Sequence, residues 1–535
     1  MALTRDKADA AAAITAGRAA LGVELGSTRI KACLIGPDHE PIATGSSAWE
    51  NQLVDGLWTY SLDAVWAGLQ ECYADLVADA ERKHGVRLTT LGALGVSAMM
   101  HGYLAFDADG DLLAPFRTWR NTNTGAAAAR LTDLFGFNIP LRWSVAHLYQ
   151  ALLDDEPHVR EIAHVTTLAG YVHWRLTGRR VLGVGDASGM FPIDPQTNSY
   201  DRAMLQQFTE LVAERAPWLK VAELFPDVLL AGEDAGELTV EGAALLDPSG
   251  GLRPGVPLCP PEGDAGTGMV ATNAVAPRTG NVSAGTSIFA MVVLERPLSR
   301  VHPELDVVTT PVGDPVAMVH CNNGASELDA WAGVFGEFAA ALGHRADRDD
   351  VFAAMVGAAL DGDHDAGGLL AYNYLSGEPI TDMPEGRPLL VRTPDASFTL
   401  ANFARAQLYG VFATLALGMR ALAAEDVGLD AMFAHGGLFR TKGVAQRLLA
   451  AAIDAPVAVG RSAGEGGAWG VAVLARYRAA LSGQDLATYL REQVFAGARF
   501  EVVEPDADEV AAFAAHLQRY AAALPVERAA TQFVS

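Results

Sequence analysis

Two strand–turn–strand patterns, one in each half of the chain, constrain the fold more than any other feature. The first spans residues 21–35, where two apolar runs are joined by Gly26-Ser27-Thr28. The second spans residues 280–290 and turns at Gly285-Thr286-Ser287. Glycine beside hydroxyl residues, between two apolar runs, predicts a β-hairpin. The repetition predicts two related halves that meet near residues 275–280.

The first turn carries the groups that bind an anionic ligand. Gly26 lets the backbone approach a ligand closely, and successive N–H groups in a tight turn form an anion-binding concavity. Ser27 and Thr28 add hydroxyl donors, and Lys31 adds a positive charge. Glu24, at the end of the preceding apolar run, is a candidate ligand for hydrated Mg²⁺. The alternative is an ordinary hairpin whose turn binds nothing.

The composition is that of a globular and acidic protein. Half of the 535 residues are apolar and 19% are charged, which suits two large domains or three to four smaller ones. The formal net charge of −25 argues against binding to a nucleic-acid backbone or an anionic membrane. It does not exclude a nucleotide, because backbone amides bind phosphate locally.

Cysteine usage and hydropathy indicate a reducing compartment. The four cysteines form no C-x-x-C pair, so neither a disulfide framework nor a zinc site is expected. Cys33 and Cys259 lie in apolar runs and are predicted to be buried thiols. No apolar run reaches the roughly 18 residues that span a bilayer, and residues 1–20 lack the apolar segment of a signal peptide. We therefore expect a cytoplasmic protein.

Hydrophobic periodicity and turn residues predict the elements around these motifs. A strand over 91–100 is predicted to precede His101-Gly102, and a strand over 257–259 to precede Gly263-Asp264. A buried strand is predicted to end at Gly436-Gly437. The sequence further predicts a helix that stops at Gly178, and helices over 62–77, 126–135, 443–452, 464–474 and 508–523.

The motifs follow one another in an order and spacing that resembles the FGGY family of carbohydrate kinases, within the hexokinase, actin and Hsp70 superfamily. The resemblance covers about residues 20 to 475, and Met100-His101-Gly102 makes the chain most similar to xylulose-kinase-like members. The matching motifs are Glu24-Leu-Gly-Ser-Thr28, Met100-His-Gly102, Trp119, Asp186-Ala-Ser188, Gly263-Asp264, Ala284-Gly-Thr-Ser287 and Gly436-Gly437.

The resemblance implies an α/β fold of two ribonuclease-H-like domains, with mixed β-sheets flanked by helices and an interdomain cleft. It implies an N-terminal extension over 1–19, a sugar-binding domain over 20–277, an ATP-binding domain over 278–500, and a C-terminal helix and tail over 501–535. The implied cofactors are ATP and Mg²⁺. The implied partner is a small-molecule sugar or polyol, with no nucleic acid and no membrane, and a homodimer is left open.

By the same resemblance, Asp264 is the general base that accepts the proton of a sugar hydroxyl, and with Glu24 it is a metal ligand. Phosphoryl transfer is mostly positioning and charge stabilisation, so the acceptor hydroxyl needs only one base. The alternative for Asp264 is an N-cap on the following helix.

The resemblance assigns the other site residues to the sugar or to ATP. The His101 imidazole can donate to a sugar hydroxyl, and the Met100 thioether can pack on the carbon chain. A structural histidine and a plain paired-glycine turn are the alternatives. The substrate-binding residues are Met100, His101, Gly102, Trp119, Asn121 and Asp264, and the ATP-binding residues are Gly26, Ser27, Thr28, Lys31, Gly285, Thr286, Ser287, Gly436 and Gly437.

Four positions depart from the family pattern. Glu24 stands where Asp is usual, and its extra methylene would shift a metal-bound water by about an ångström. Asn121 and Asn123 replace the acid and the arginine of Trp-x-Asp-x-Arg, and Met99 replaces a glutamine. These changes predict a divergent subgroup that acts on a different ketose or polyol.

The lead hypothesis is an ATP-dependent kinase that phosphorylates a xylulose- or ribulose-like ketose or a related polyol. A second hypothesis is a pseudokinase that senses nucleotide and sugar, which Glu24, Asn121 and Asn123 motivate. A third is a chaperone-like ATPase of the same superfamily, against which the sugar-binding residues count.

Overall fold

The computed structural model describes residues 2–460, 466–480 and 483–534, and the chain divides into two compact units. The first unit comprises Met1–Val275, Val307–Val316 and Ser462–Gly497. The second comprises Ala276–Asp306, Ala317–Arg461 and Ala498–Ser535. The units therefore differ from the contiguous domains predicted over 20–277 and 278–500, since two later segments are grouped with the first unit.

The strands are short and are distributed over both units. In chain order they are β1 Ala20–Leu25, β2 Arg29–Ile35, β3 Pro41–Ala48, β4 Gln52–Val54, β5 Leu57–Thr59, β6 Ala93–Ala98, β7 Leu104–Phe106, β8 His164–Thr166, β9 Val181–Gly183, β10 Ile193–Asp194, β11 Ser199–Tyr200, β12 Asp227–Leu229, β13 Glu262–Gly263, β14 Thr279–Ala284, β15 Ile288–Val293, β16 Asp306–Thr309, β17 Pro315–Cys321, β18 Leu370–Tyr372, β19 Leu389–Val391, β20 Ala431–His435, β21 Val457–Val459 and β22 Glu501–Val503.

The α-helices are interleaved with these strands. In chain order they are α1 Ala2–Thr15, α2 Leu62–His84, α3 Gly125–Phe135, α4 Ser144–Leu153, α5 Leu168–Thr177, α6 Val184–Ala187, α7 Arg202–Val212, α8 Val221–Leu224, α9 Val240–Leu246, α10 Asp264–Ala271, α11 Ser326–Ala341, α12 Arg348–Ala358, α13 Leu400–Ala423, α14 Val444–Ile453, α15 Gly467–Ala480, α16 Leu486–Tyr489 and α17 Ala507–Phe533.

The first unit is built on a mixed sheet in the order β13-β6-β1-β2-β3. The predicted hairpin is β1 and β2, which pair antiparallel, while β6 runs parallel to β1 on its other side. Helix α15 packs directly on this sheet. A Cβ at Gly22 of β1 would overlap the carbonyl oxygen of Ala468, so the glycine permits this close approach. This packing explains why residues of α15 belong to the first unit.

The second unit repeats that arrangement in a seven-stranded sheet, in the order β16-β17-β15-β14-β20-β21-β22. Here β14 and β15 form the antiparallel hairpin, and β20 runs parallel to β14 on its other side. Both predicted hairpins are therefore confirmed, and each lies beside a parallel strand. The mixed sheets flanked by helices confirm the predicted α/β class.

Helix α13 is the central helix of the second unit. Among the described residues it is the one helix long and apolar enough to cross a membrane by length and composition, and 78% of its most apolar window is buried in the protein. Its Arg405 donates through Nη1 to Oε2 of Glu509 in α17 over 2.9 Å, and both side chains are buried. The segment predicted as a C-terminal helix and tail thus belongs to the core of this unit.

Two local predictions need correction, and the start of a third element lies outside the described residues. Residues 257–259 form two isolated bridges, Glu237 with Pro257 and Leu94 with Leu258, and no strand, because the prolines around them lack N–H donors. The last helix continues beyond residue 523 to Phe533, with Pro525 inside it. The helix predicted to start at residue 464 is described only from Gly467, since 464 and 465 lie outside the described residues. The stop at Gly178 is confirmed by its left-handed φ of 76°.

Candidate active site

The first Gly-hydroxyl turn directs two of its N–H groups, those of Ser27 and Thr28, away from the side chains that hold it, while the Gly26 N–H donates to the Arg29 carbonyl. The Gly26 carbonyl accepts from Trp49 Nε1 over 2.7 Å, and the Ser27 carbonyl accepts from the Tyr60 hydroxyl over 2.6 Å. In a planar trans peptide the next N–H points the opposite way. The amides of Ser27 and Thr28 therefore face away from Trp49 and Tyr60, and both residues are exposed. Such a turn can bind an anion.

The second turn has the same construction. The Gly285 carbonyl accepts from Ala325 N–H and the Thr286 carbonyl accepts from Gly324 N–H, each over 2.8 Å, beside the start of α11. The amides of Thr286 and Ser287 consequently point away from that helix. Gly285 and Thr286 are exposed. Within each unit, two consecutive amides of the predicted phosphate turn thus point away from the contacts that hold the turn, and phosphate binding there stays a prediction.

The paired glycines at the end of β20 lie beside the second turn. Since β20 runs parallel to β14, Gly436 follows its strand where Gly285 follows the neighbouring one. A Cβ at Gly436 would overlap the Ala284 carbonyl oxygen, and its φ of 107° favours glycine. Gly436 and Gly437 are both exposed. The structure therefore brings together the predicted β-phosphate, γ-phosphate and adenosine motifs of the second unit.

Glu24 and Lys31 are direct neighbours in the first sheet. They face each other across β1 and β2, and Ser97 of β6 lies on the other side of Glu24. Aligned residues of neighbouring strands project from the same face, so these three side chains share one face. A Cβ at Gly467 would overlap the Glu24 carboxylate, which places that carboxylate at the start of α15. A helix N-terminus stabilises a negative charge.

Asp264 is the first residue of α10 and follows β13 directly. The N-cap is Gly263, so Asp264 does not occupy the capping position that the alternative assigned to it. Its Oδ1 accepts from the Met100 N–H over 3.1 Å. Desolvation by the surrounding protein raises the pKa of the carboxyl, partly offset by backbone N–H groups of Met100 and Ala265. The side chain nevertheless remains exposed to solvent, as a base that receives a substrate proton must be.

Met100, which binds this carboxylate through its N–H, is followed directly by His101. A Cβ at Gly263 would come within 2.9 Å of Met100 Cγ, which shows how closely Met100 packs there. The His101 ring is 5% exposed, stacks against Trp143, and has Nδ1 3.4 Å from the Gly189 carbonyl oxygen. Its φ of 71° and that of 102° at Gly102 are left-handed. A histidine rarely adopts this backbone outside turns and functional sites.

Two buried carboxyls behind Asp264 are not on the predicted list of site residues. Asp186 is fully buried, and its Oδ2 accepts from the Thr167 hydroxyl over 2.6 Å, while Oδ1 has no hydrogen-bond partner among the described residues. Burial raises its pKa to about 7. Glu262 accepts from the N–H of Asp186 over 3.0 Å, and burial followed by the charge of Asp186 raises its pKa to about 8.

The signal for Glu262 was present in the sequence as two glycines. A Cβ at Gly183 or at Gly185 would overlap the Glu262 carboxyl, so their alternation leaves room for a large side chain on one face. Because the partner lies 77 residues away from Gly185, the pattern alone does not identify it.

Trp119 and Asn121 have different settings. Trp119 is half-buried and lines an open groove with Ser27 and Thr28. Asn121 is buried, and its amide accepts from the Trp58 N–H over 2.9 Å and donates to the Trp58 carbonyl over 2.8 Å. The amide is thus engaged by the backbone of β5, and a direct contact between Asn121 and a sugar stays a prediction. Asn123 is exposed.

The described residues contain no cluster of three or more His, Cys, Asp or Glu side chains arranged to hold a metal ion. Mg²⁺ commonly uses one or two carboxylates together with water and substrate phosphates, so Glu24 and Asp264 still suit it. All four cysteines are buried thiols, as predicted for Cys33 and Cys259.

Comparison with known proteins gives the family. The model of the FGGY family of carbohydrate kinases, N-terminal domain, matches residues 19–271, and that of the C-terminal domain matches residues 280–479. A xylulose kinase of Escherichia coli K12 is 25% identical over 306 residues, which is 53% of this chain and 56% of that protein. The chain thus spans about half or less of the length of the curated relatives that it matches.

Solved structures share the fold over nearly the whole chain. A xyloylose kinase from Brucella ovis has a TM-score of 0.77 at 20% identity, covering 96% of this chain and 99% of that one. A gluconate kinase from Lactobacillus acidophilus has a TM-score of 0.76 at 18% identity, covering 95% and 97%. The family models and the fold agree with the resemblance of the motifs: the chain belongs to the FGGY family of carbohydrate kinases.

Proposed function

We propose that this protein is an ATP-dependent kinase that phosphorylates a hydroxyl of a ketose or related polyol, with Asp264 as general base. The placement of Asp264 carries the proposal. The residue is exposed, its carboxylate accepts from the Met100 N–H, and the Met100 side chain packs against the preceding Gly263. The resemblance to xylulose kinases supports a ketose as acceptor.

In the proposed reaction, Asp264 accepts the proton of the acceptor hydroxyl. The hydroxyl oxygen forms a bond to the γ-phosphorus of ATP as the bond from that phosphorus to the β,γ-bridging oxygen breaks, and ADP leaves with the electron pair. Met100 holds one carboxylate oxygen, which leaves Oδ2 for the proton. A raised pKa improves the carboxylate as a base near neutral pH.

The remaining parts of the site bind and orient. We assign the amides of Ser27, Thr28, Thr286 and Ser287 to ATP phosphates, Lys31 to a phosphate charge, and Gly436-Gly437 to adenosine. Mg²⁺, held by Glu24 and Asp264 directly or through water, would neutralise charge on the transferred phosphoryl group. Because the two turns belong to different units, their joint binding of one ATP remains a prediction from the sequence.

The test is ADP release by the purified protein with ATP, Mg²⁺ and a panel of ketoses, aldoses, polyols and their sugar acids. We expect turnover with some members of the panel and a phosphorylated product by mass. The control is Asp133→Asn, at an exposed aspartate of α3, which should leave turnover unchanged. Ligand-induced stabilisation without any product across the panel would favour the pseudokinase and contradict the proposal.

A further inference from the structure

We propose that the acceptor carries a carboxylate, and that Arg120 binds it in an aromatic groove beside the first Gly-hydroxyl turn. This inference rests on the proposed function and specifies the class of acceptor: a ketose or polyol that is also a sugar acid. The groove lies wholly within the first unit.

The groove has the size and lining of a small-molecule site. It is an open groove of about 620 Å³, and its lining includes Trp49, Trp58, Trp119 and Arg120 together with the exposed acidic residue Glu50. Ligand sites commonly have volumes of roughly 300–1,000 Å³, with aromatic walls and a few polar groups. Indole faces pack well against the C–H faces of sugars, because both surfaces are flat and apolar. Ser27 and Thr28 line the same groove, which places it next to the predicted phosphate turn.

Arg120 is the cation of this groove. Its guanidinium carbon lies 3.7 Å from the centre of the Trp58 ring, so the face of the guanidinium is stacked on the indole. Stacking uses the face and leaves the N–H donors at the edge, where a planar fork matches a carboxylate. The chain has 64 acidic residues against 39 Lys and Arg, yet among the residues that the structure describes no carboxylate pairs with Arg120.

The stacked position of Arg120 depends on Asn121, the next residue in the chain. Asn121 binds both the N–H and the carbonyl of Trp58, as described above, and thereby holds the indole on which Arg120 stacks. Trp49 is likewise fixed, because its ring stacks on Tyr60 at 4.1 Å and its Nε1 donates to Gly26. The replacement of Asp by Asn at position 121 therefore contributes to building the groove.

The guanidinium of Arg120 would also donate to a phosphate oxygen. The nucleotide is therefore the second source of an anionic oxygen, besides the carboxylate of the acceptor. The two sources predict different effects. If Arg120 binds the acceptor carboxylate, sugar acids bind without nucleotide and Arg120 variants change the KM of the acceptor. If it binds a nucleotide phosphate, the variants change the KM of ATP.

The experiment compares aldonic and ketoaldonic acids of five and six carbons with neutral polyols of the same length, by titration of intrinsic tryptophan fluorescence without nucleotide. We expect at least one acid to bind tenfold or more tightly than its matched polyol. Arg120→Ala should abolish that difference and raise the KM of the acid at least tenfold, with the KM of ATP unchanged. Arg120→Lys, which keeps the charge but not the fork, should restore part of the preference.

The matched control is Arg130→Ala, at an exposed arginine of α3 outside the groove, which should change neither binding nor turnover. Equal affinity for acids and polyols, or an effect of Arg120→Ala on the KM of ATP alone, would overturn the inference. The two proposals can fail separately. Acid-selective, Arg120-dependent binding without ADP release would contradict the proposed kinase activity and support the carboxylate site in the groove. Turnover of neutral ketoses alone would support the kinase activity and contradict the carboxylate site.

Discussion

The amide N–H of Met100 donates to Oδ1 of Asp264 over 3.1 Å, and so joins the end of β6 to the start of α10. The hydrogen bond connects two motifs that lie 164 residues apart. It fixes one oxygen of the proposed base relative to the proposed sugar-binding residues. A change that displaces Met100 should therefore also change the position of the Asp264 carboxylate.

Gly263→Ala tests this relationship. The new Cβ would lie 2.9 Å from Met100 Cγ and 3.2 Å from Asp186 Oδ1, so Met100 must move. We expect a loss of about 1–3 kcal/mol in the free energy of unfolding from overpacking, and a fall in kcat/KM of at least tenfold. Gly125→Ala, where a Cβ has open space, is the control for denaturant unfolding and steady-state kinetics. Unchanged kcat/KM in Gly263→Ala would show that the position of Met100 does not matter.

Gly436→Ala and Gly437→Ala form a matched pair. Only Gly436 has a left-handed φ and a Cβ position that overlaps the Ala284 carbonyl, whereas a Cβ at Gly437 meets open space. Gly436→Ala should lower the free energy of unfolding by about 1–3 kcal/mol and weaken ATP binding. Gly437→Ala should preserve stability, so any effect on the KM of ATP would report contact with the nucleotide. Thermal unfolding with and without ATP measures both.

Asp186 and Glu262 should make stability depend on pH. Their folded pKa values of about 7 and about 8 exceed the ordinary values of 3.8 and 4.5. At pH values between the ordinary pKa and the folded pKa of each group, the folded state binds more protons than the unfolded state. The free energy of unfolding therefore falls as pH rises and levels off above about pH 8. Asp186→Asn and Glu262→Gln remove this titration.

Each of these variants should therefore flatten the slope by up to about 1.4 kcal/mol per pH unit between pH 5 and 8. Urea unfolding at several pH values measures the slope. Asp133→Asn, at an exposed carboxyl, should leave it unchanged. A slope identical in wild type and in both buried-site variants would mean that these carboxyls are charged in the folded protein.

Asn121→Asp tests why the chain departs from the family pattern at this position. An aspartate can accept from the Trp58 N–H, but it cannot donate to the Trp58 carbonyl as the amide does. We expect a loss of about 1–3 kcal/mol in unfolding free energy, and a similar loss for Asn121→Ala. Asn123→Asp, at an exposed site, should be neutral in the same thermal unfolding assay. Equal stability of wild type and Asn121→Asp would contradict the positioning role.

The local elements that carry the proposed site residues were predictable from the sequence. The hairpins at Gly26 and Gly285 are local, since a glycine-hydroxyl turn between two apolar runs determines its own pairing. Asp264 was found through a resemblance to a family motif. Its partner Met100 could not be paired with it by spacing alone, because the hydrogen bond depends on how β6 and β13 align.

The elements that sequence reasoning missed depend on contacts between distant segments. Glu262 fills space above Gly183 and Gly185, and α15 returns to pack on Gly22 of β1. Asn121 was assigned to the sugar through the resemblance to Trp-x-Asp-x-Arg, and that contact stays a prediction, while the partner of its amide in the structure is the backbone of Trp58. In each case the position of the side chain or helix depends on a distant contact that no local sequence pattern identifies.

The central claim is that Asp264 removes a proton from the acceptor hydroxyl. The most direct measurement is single-turnover phosphorylation of an acceptor from the panel by wild type and Asp264→Asn, with binding of ATP and acceptor measured separately by thermal shift. We predict that the variant binds both ligands and transfers phosphate about 10²- to 10⁴-fold more slowly. Transfer at the wild-type rate by Asp264→Asn would contradict the account.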